Sequence, residues 1–227
     1  MKGPVCAIVP MRAGSKGHTN KNLRLLCGKP LYLHTIDHAR RAGIKSIFLT
    51  TDIPMLIKAD LGANIEVWPR PSSLSSDTSS MASVLSYCLA HQLKSACTVV
   101  LLQATSPLRD PKDINRALEL HAMGNHDVVL SVTRADSKVL KWGTLQENVF
   151  IPVSEPRFCF TNRAELPAVY RPDGAIYVFD ADWFRDNGDF AAGRIGCIRT
   201  ESSRSLDIDT LQDLKRAERV LESDQGN

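Results

Sequence analysis

VCAIVPMRAGSKGHTNKN, residues 5–22, is the stretch that decides the fold. Val5 to Val9 are apolar and uncharged, and Pro10 closes the run. A short apolar segment stopped by a turn residue reads as a strand covered on both faces. The loop that follows carries Gly14 and Gly17 among Arg12, Lys16 and Lys21. Glycine allows tight turns and lets backbone N–H groups come close to an anion, and the cations add charge around the same loop. Buried strands feeding such loops are how open parallel sheets build ligand sites at their carboxyl ends. Two familiar versions are excluded, because neither G-x-x-x-x-G-K-[ST] nor G-x-G-x-x-G occurs here. The bland alternative is a solvated basic loop whose glycines serve only to turn the chain.

Working outward, the same alternation recurs. SIFLT (46–50), TVVLL (98–102), DVVLSV (127–132), GAIYVF (174–179) and RIGCI (194–198) are further short apolar runs. Between them lie helix-period segments. One is near 30–42. A second, 81–93, places Met81, Val84, Leu85, Cys88 and Leu89 on one face, and a third is marked by Ile114, Ala117, Leu118 and Ala122. Residues 210–222 form a closing amphipathic helix. The pattern predicts an α/β, three-layer, Rossmann-like fold of nucleotide-binding type with a mainly parallel sheet. The loops Pro10–Asn22, Thr51–Asp52, Gln103–Arg109 and Thr133–Arg134 all follow strands and are expected to share one crevice. Residues 135–172 break the rhythm with Pro152, Pro156, Pro167 and scattered charges. They are expected to form a small lobe of short strands within a single domain of residues 1–227, packed on another subunit or closing over a substrate.

Bulk properties narrow the function. With 43% hydrophobic and 23% charged residues over 227 positions, the chain reads as an ordinary globular domain. It shows no leader-like start and no apolar run near the roughly 20 residues that span a bilayer, so no membrane role and a cytoplasmic location are expected. The net charge of +3 is small. Its distribution is one-sided: Lys2, Arg12, Lys16, Lys21, Arg24 and Lys29 all precede the first acid, Asp37. That suits a small, multiply charged anion, and without interleaved aromatics it excludes a nucleic-acid partner. Cys6, Cys27, Cys88, Cys97, Cys159 and Cys197 contain no C-x-x-C pair and are read as buried free thiols.

Asp207 and Asp209 stand two apart in LDID. If that segment is extended, alternation turns both carboxylates to one side, a donor set suited to Mg²⁺, which keeps several waters. Alternatively one of them caps the helix that begins near Thr210. Asp52 is open between ribose or metal contact and a helix cap. His34 and His38, one helical turn apart without H-E-x-x-H, read as ordinary helix residues.

Several motifs in order carry a resemblance: PMRAGSKG…KN in the first loop, RPSSLSSDTSS (70–80), LLQATSPLRD (101–110), NRAELPAVYRPDGAIYVF (162–179) and SLDIDTLQDL (205–214). The chain resembles the acylneuraminate cytidylyltransferases (CMP-sialic acid synthetases) over nearly its whole length. The resemblance implies a nucleotidyltransferase joining the anomeric hydroxyl of an acidic nine-carbon sugar to the α-phosphorus of CTP and releasing pyrophosphate. It implies Mg²⁺ (or Mn²⁺) on Asp207 and Asp209, and Arg12 and Lys21 as the catalytic cations on the triphosphate. Ser15, Lys16 and Asn22 would shape the cradle, and Arg70 and Ser79 would read the cytosine. Gln103, Arg163, Asp173, Tyr177 and Phe190 would face the sugar, with Arg163 holding its carboxylate. Gln103 is otherwise a turn residue ahead of Pro107, Arg171 a structural arginine, and the two aromatics plain core. A homodimer through the lobe is implied, with Lys141 matching a basic residue that reaches the partner's site. Two departures stand out: Met11 replaces the usual alanine, and Asp173 replaces a common asparagine. The second keeps a related sugar, such as legionaminic acid, open as substrate. A different-class alternative is a non-catalytic, regulatory nucleotide-binding protein.

Overall fold

In this computed structural model, which describes residues 3–14 and 21–225, each short apolar run picked out above contributes a strand. β1 (Val5–Pro10) leads to the first loop and a two-residue hairpin, β2 (Leu25–Leu26) and β3 (Lys29–Pro30). Cys27 and Gly28 join that hairpin with φ of 49° and 75°, the doubly left-handed turn that suits the twist of a two-residue connection. Then come α1 (Leu31–Arg41), β4 (Ser46–Thr51), the short α2 (Pro54–Ile57) and β5 (Ile65–Pro69). α3 (Met81–His91), β6 (Thr98–Leu102), α4 (Pro111–Ala122) and β7 (Val128–Ala135) follow. β8 (Gly143–Gln146) and β9 (Val149–Pro152) form a separate hairpin. β10 (Val169–Asp180), α5 (Ala181–Asn187), β11 (Ile195–Arg199) and α6 (Leu211–Gln225) complete the chain.

Seven strands make one sheet in the order β11-β7-β10-β6-β1-β4-β5. All neighbours are parallel except β10, which is antiparallel to both β6 and β7. The mainly parallel expectation therefore holds, with β10 the exception. From β1 the chain builds outward through β4 to β5, then returns to place β6 on the other side of β1. That reversal parts the loops after β1 and β6, and ligands of open α/β sheets settle in such a gap.

Alternate residues of β1 serve different layers. Ala7 and Val9 pack with α1 and α4 residues such as Ile36 and Ile114, whereas Cys6 and Ile8 pack with Leu85 and Leu89 of α3 and Phe184 of α5. Both faces are apolar, which is why the strand shows no polar alternation. A third cluster joins Leu26, Leu31 and Leu108 to Ile208, Leu214 and Ala217. It fastens the segment before α6 to the edge of the first loop.

β7 and β10 continue as a pair beyond the body of the sheet, with Val169 opposite Ala135 and Arg171 opposite Thr133. Residues 136–168 hang between their ends as short 3-10 turns and the β8–β9 hairpin. Within β10 the register shifts between Pro172 and Tyr177, around Gly174 at φ 78°. The bulge swings Asp173 inward and places Gly174 against the side chain of Gln103.

The sequence reading passed over β5. Its run, Ile65-Glu66-Val67-Trp68-Pro69, is short and carries an acid, as a sheet-edge strand can. The thiols also depart from expectation. All six are free, but Cys27 and Cys197 are exposed and Cys159 is half-buried. Among the described residues no helix is long and apolar enough to cross a membrane.

Candidate active site

At the switch point lies a crevice of about 550 Å³, within the usual range for small-molecule sites. Its walls come from the loop after β1 (Pro10, Met11, Arg12, Lys21, Asn22), the loop after β6 (Gln103, Ala104, Thr105) and the segment before α6 (Asp207, Asp209, Thr210). Arg70, Asp77 and Met81 close the remaining side. Three of the expected loops thus meet here in part, through direct lining or through Asp52 below. The loop after β7 does not line it: Thr133 is buried against Ser202, and Arg134 lines a separate depression. β7 runs on into the lobe, which carries its end away from the crevice.

Two carboxylates and two cations face each other. Lys21 Nζ donates to Asp209 Oδ1 at 2.9 Å, joining residues 188 positions apart. Arg12 Nη1 lies 2.5 Å from Asp77 Oδ1. With Arg70 and Asp207, the described lining holds three cations (Arg12, Lys21, Arg70) and three carboxylates (Asp77, Asp207, Asp209), so 3 − 3 leaves no formal net charge.

The extended LDID geometry is realised. Ile208 is buried in the third cluster, and its amide donates to Thr105 O at 2.8 Å. With Ile208 pointing in, Asp207 and Asp209 both point out into the crevice. Neither caps α6. Thr210 and Asp213 do so reciprocally: Thr210 Oγ1 accepts from the Asp213 amide at 3.2 Å, and Asp213 Oδ2 accepts from the Thr210 amide at 2.8 Å. This capping box satisfies the first turn and leaves both acids free. Asp207 is open to the crevice by surface area, yet enough protein surrounds its carboxyl to raise its pKa. Desolvation is the main cause, a hydrogen bond with Thr105 opposes it, and the Asp209 charge adds to it.

The cationic wall is held by the end of β4. The Met11 amide donates to Thr50 O at 2.9 Å, and the Ala13 amide donates to Asp52 Oδ1 at 2.7 Å. Asp52 is therefore neither a helix cap nor a lining group; it fastens the loop on the C-terminal side of Arg12. Arg70, buried, donates from its amide to Thr51 O and from Nη2 to Thr50 O at 3.0 Å. Burial lowers its pKa. Asn22 is buried as well, and its Nδ2 donates to Arg12 O at 3.4 Å. Asn22 Oδ1 and Arg70 Nε have no hydrogen-bond partner among the described residues.

Behind the crevice, Arg109 is wholly enclosed. It donates from Nε to Ala175 O at 2.9 Å and from Nη2 to Gln103 O at 2.8 Å, tying the loop after β6 to β10. Desolvation lowers its pKa to about 9, against the pull of Asp173.

The remaining expected residues are placed elsewhere, or lie beyond description. Ser15 and Lys16 fall outside the described residues. Ser79 bonds Ser76 Oγ at 2.8 Å in the turn before α3 and does not line the crevice; Asp77 and Met81 do. Asp173 spends its carboxylate internally, accepting from Ser131 Oγ, from the Ala175 amide at 3.0 Å and from Thr200 Oγ1 at 2.6 Å. Its substitution for asparagine thus meets hydroxyl donors inside the fold rather than the crevice. Tyr177 and Phe190 stack on each other at 5.5 Å and pack into the α3–α5 layer. Arg163 is on the lobe, 3.6 Å from Asp136, lining the same depression as Arg134. Lys141 belongs to the lobe too, in its first 3-10 turn. His34 bonds Leu26 O at 3.0 Å and His38 is buried, so both are ordinary helix residues. Asp52, Asp77, Thr105, Arg109 and Asp213 were missed as site-building residues. Of these Asp77, Thr105, Arg109 and Asp213 stood inside quoted motifs, and only Asp52 did not.

Comparison with known proteins establishes the family. The cytidylyltransferase family profile matches residues 6–223. The chain belongs to the cytidylyltransferase family. It is 32% identical over 213 residues to the N-acylneuraminate cytidylyltransferase of Streptococcus agalactiae serotype V, an alignment covering 92% of this chain and 51% of that protein. The chain thus spans about half the length of that relative. It is also 32% identical over 231 residues to the CMP-N,N'-diacetyllegionaminic acid synthase of Legionella pneumophila, covering 97% of both chains. Among solved structures, a CMP:2-keto-3-deoxy-manno-octonic acid synthetase complexed with CTP superposes with a TM-score of 0.71 at 16% identity, over 98% of this chain and 100% of that one. That likeness is one of fold.

Proposed function

We propose that this cytidylyltransferase transfers CMP from CTP to the anomeric hydroxyl of an acidic nine-carbon sugar of the N-acylneuraminate class, releasing pyrophosphate. The observation that carries the reading is the meeting of Lys21 with Asp209 across 188 residues, in a crevice shared with Arg12 and Asp207. Sugar hydroxyl attack on the α-phosphorus expels pyrophosphate, and negative charge gathers on phosphate oxygens as the bond to the β-phosphate breaks. Arg12 and Lys21 offer N–H donors to that charge, and Asp52 keeps their loop from yielding as it builds. On the nucleotide side, Asn22 Oδ1 is an unpaired acceptor and Arg70 Nε an unpaired donor. Cytosine presents an amine and a carbonyl, the complementary pair.

The donor chemistry suits a divalent cation. A triphosphate is strongly anionic, while the described lining is formally neutral, so the shortfall in positive charge must be supplied with the substrate. Asp207 and Asp209 would hold Mg²⁺ (or Mn²⁺), two carboxylates being enough for an ion that retains water. Held there, the ion would supply positive charge beside the phosphates, and Lys21 would offer its ammonium to them as well.

Sugar recognition is assigned to Gln103 at the crevice wall and, through a second copy, to Arg163 of the lobe. Trp142, Leu145, Phe150 and Phe160 stand exposed there, an apolar surface large enough to expect cover. A homodimer formed through the lobe would cover it and carry Arg163 and Lys141 toward a neighbouring crevice. The six free thiols suit the reducing cytoplasm. The 97% mutual coverage with the legionaminic acid synthase supports a second reading, the same transfer to that relative's sugar.

Pyrophosphate release measured with CTP and a panel of eight- and nine-carbon 2-keto acids tests the proposal. Release is expected with CTP and one or more nine-carbon acids. Release with the eight-carbon acid alone, or with no acid of the panel, contradicts it.

A further inference from the structure

We infer that Cys6 and Cys97 form a modification site, a buried dithiol that a hydroperoxide converts into a disulfide joining β1 to β6. Their sulfurs lie 3.6 Å apart, and both side chains sit in the layer under α3 and α5. A disulfide brings the sulfurs to about 2.0 Å, so the closure needs a shift of little more than an ångström and a half, shared by two flexible side chains. Cys97 stands immediately before β6 and Cys6 is the second residue of β1, strands that pair in parallel from Val5–Thr98 onward. The link would therefore fall at the amino-terminal ends of these strands, opposite the crevice.

The two thiols are not equivalent. Cys97 lines a surface depression of about 290 Å³ with Gly3, Ala96, Asp180, Asp182 and Trp183, whereas Cys6 does not. A small oxidant in that depression meets Cys97 first. The hydrogen bond between the two sulfurs favours the Cys97 thiolate, and Arg185 adds to it, while burial and the Asp182 and Asp180 carboxylates oppose it. The same bond and burial hold the Cys6 thiol up, protonated. Arg185 is fixed there by Asp182 and by the carbonyls of Leu89 and Leu93.

The chemistry balances in two steps. The Cys97 thiolate attacks one peroxide oxygen, the O–O bond breaks, and Cys97 becomes a sulfenic acid while the other oxygen leaves as water or alcohol. Cys6 sulfur then attacks the Cys97 sulfur, the S–O bond breaks, and the Cys6 proton leaves with hydroxide as a second water. Two thiols are oxidised by two electrons and one hydroperoxide is reduced. Because the bond lies at the far end of the sheet from Arg12 and Lys21, it should alter stability and leave crevice chemistry intact.

The test uses the full chain in a Cys27→Ser/Cys197→Ser background, which removes the two exposed thiols. The protein is treated with a few equivalents of hydrogen peroxide, alkylated, digested and mapped by mass spectrometry, with and without dithiothreitol. The expected result is a Cys6–Cys97 cross-linked peptide pair that dithiothreitol dissolves, with a Tm raised by several degrees and CTP binding unchanged. In Cys6→Ser the expected product is a Cys97 sulfenic acid trapped by dimedone, without the Tm rise. Cys97 running on to sulfinic acid with Cys6 still alkylatable, or both thiols unmodified, overturns the inference. So does a cross-link that forms and abolishes CTP binding. Should Cys6→Ser fail to fold, the peptide map of the parent background decides the matter alone.

Discussion

Lys21 illustrates what one residue contributes. Its ammonium is well covered while its partner Asp209 is open, so the pair stands at the crevice wall as a half-exposed ion pair. Such pairs are worth about 0.2–1 kcal/mol to stability. Lys21→Ala should therefore leave Tm within about 2 °C, while turnover falls by roughly two orders of magnitude, the usual cost of removing a charge-stabilising donor. Turnover within a few-fold of the parent would remove Lys21 from the mechanism. Asp52 acts at one remove. Asp52→Ala frees the Ala13 amide and should lower turnover and nucleotide affinity together, whereas Asp52→Asn keeps an acceptor and should recover most of both. An asparagine variant as damaged as alanine would show that charge, not the hydrogen bond, matters. The same scale explains much of what was legible beforehand. Arg12 and Lys21 stood out as charge beside glycine, whereas Asp207 and Asp209 were open between metal and helix cap until the ordered motifs of the resemblance favoured the metal. Asp52 and Arg109 did not stand out, since their roles arise from contacts made across 39 and 66 positions, which no local pattern records.

Among elements, α1 and α6 each carry a testable consequence. His38 is buried on α1, and desolvation, reinforced by the Arg109 charge, lowers its pKa to about 3. An unfolded chain would titrate it near 6.5. Between those values the unfolded state holds the extra proton, so stability is retained above about pH 6.5 and lost as the pH falls toward 3, at up to about 1.4 kcal/mol per unit. Denaturant unfolding at several pH values should show a shallower acid decline for His38→Asn than for the parent; parallel curves would contradict this. On α6, the Thr210–Asp213 box decides where the acidic segment starts. Thr210→Ala should cost about 1 kcal/mol by calorimetry, and an unchanged Tm would show that the third cluster alone anchors the helix. The helices and central strands were readable because burial on one stripe or on both faces writes itself as a period. β5 was not, and the lobe's short strands were expected only without bounds: such strands lie at an edge or outside the sheet, where the burial that imposes a period is weak.

On the scale of the whole molecule, the topology makes the site. Reversal of strand order at β1 opens the gap between the chain leaving Pro10 and the loop 103–105, and Ile208, buried in the third cluster, brings the acids of the distant segment to the same opening. The proposed dimer rests on the lobe, where Phe160 is 90% exposed. Leu145→Asp combined with Phe150→Asp should halve the mass seen by sedimentation equilibrium; an unchanged mass would place any dimer contact elsewhere. In one chain Arg163 lies on the lobe, whereas Tyr177 and Phe190 pack in the α3–α5 layer. Alternation along β10 and the excursion of the lobe send these residues to different surfaces.

The central claim is that the cationic loop and the acidic pair form one metal-dependent nucleotide site. Calorimetric titration of CTP, with and without Mg²⁺, into the parent and into Asp207→Asn/Asp209→Asn tests it most directly. Tight binding that requires Mg²⁺ in the parent, and that loses its Mg²⁺ dependence in the double variant, is the expected result. Equal CTP affinity in both proteins at every Mg²⁺ concentration would contradict it.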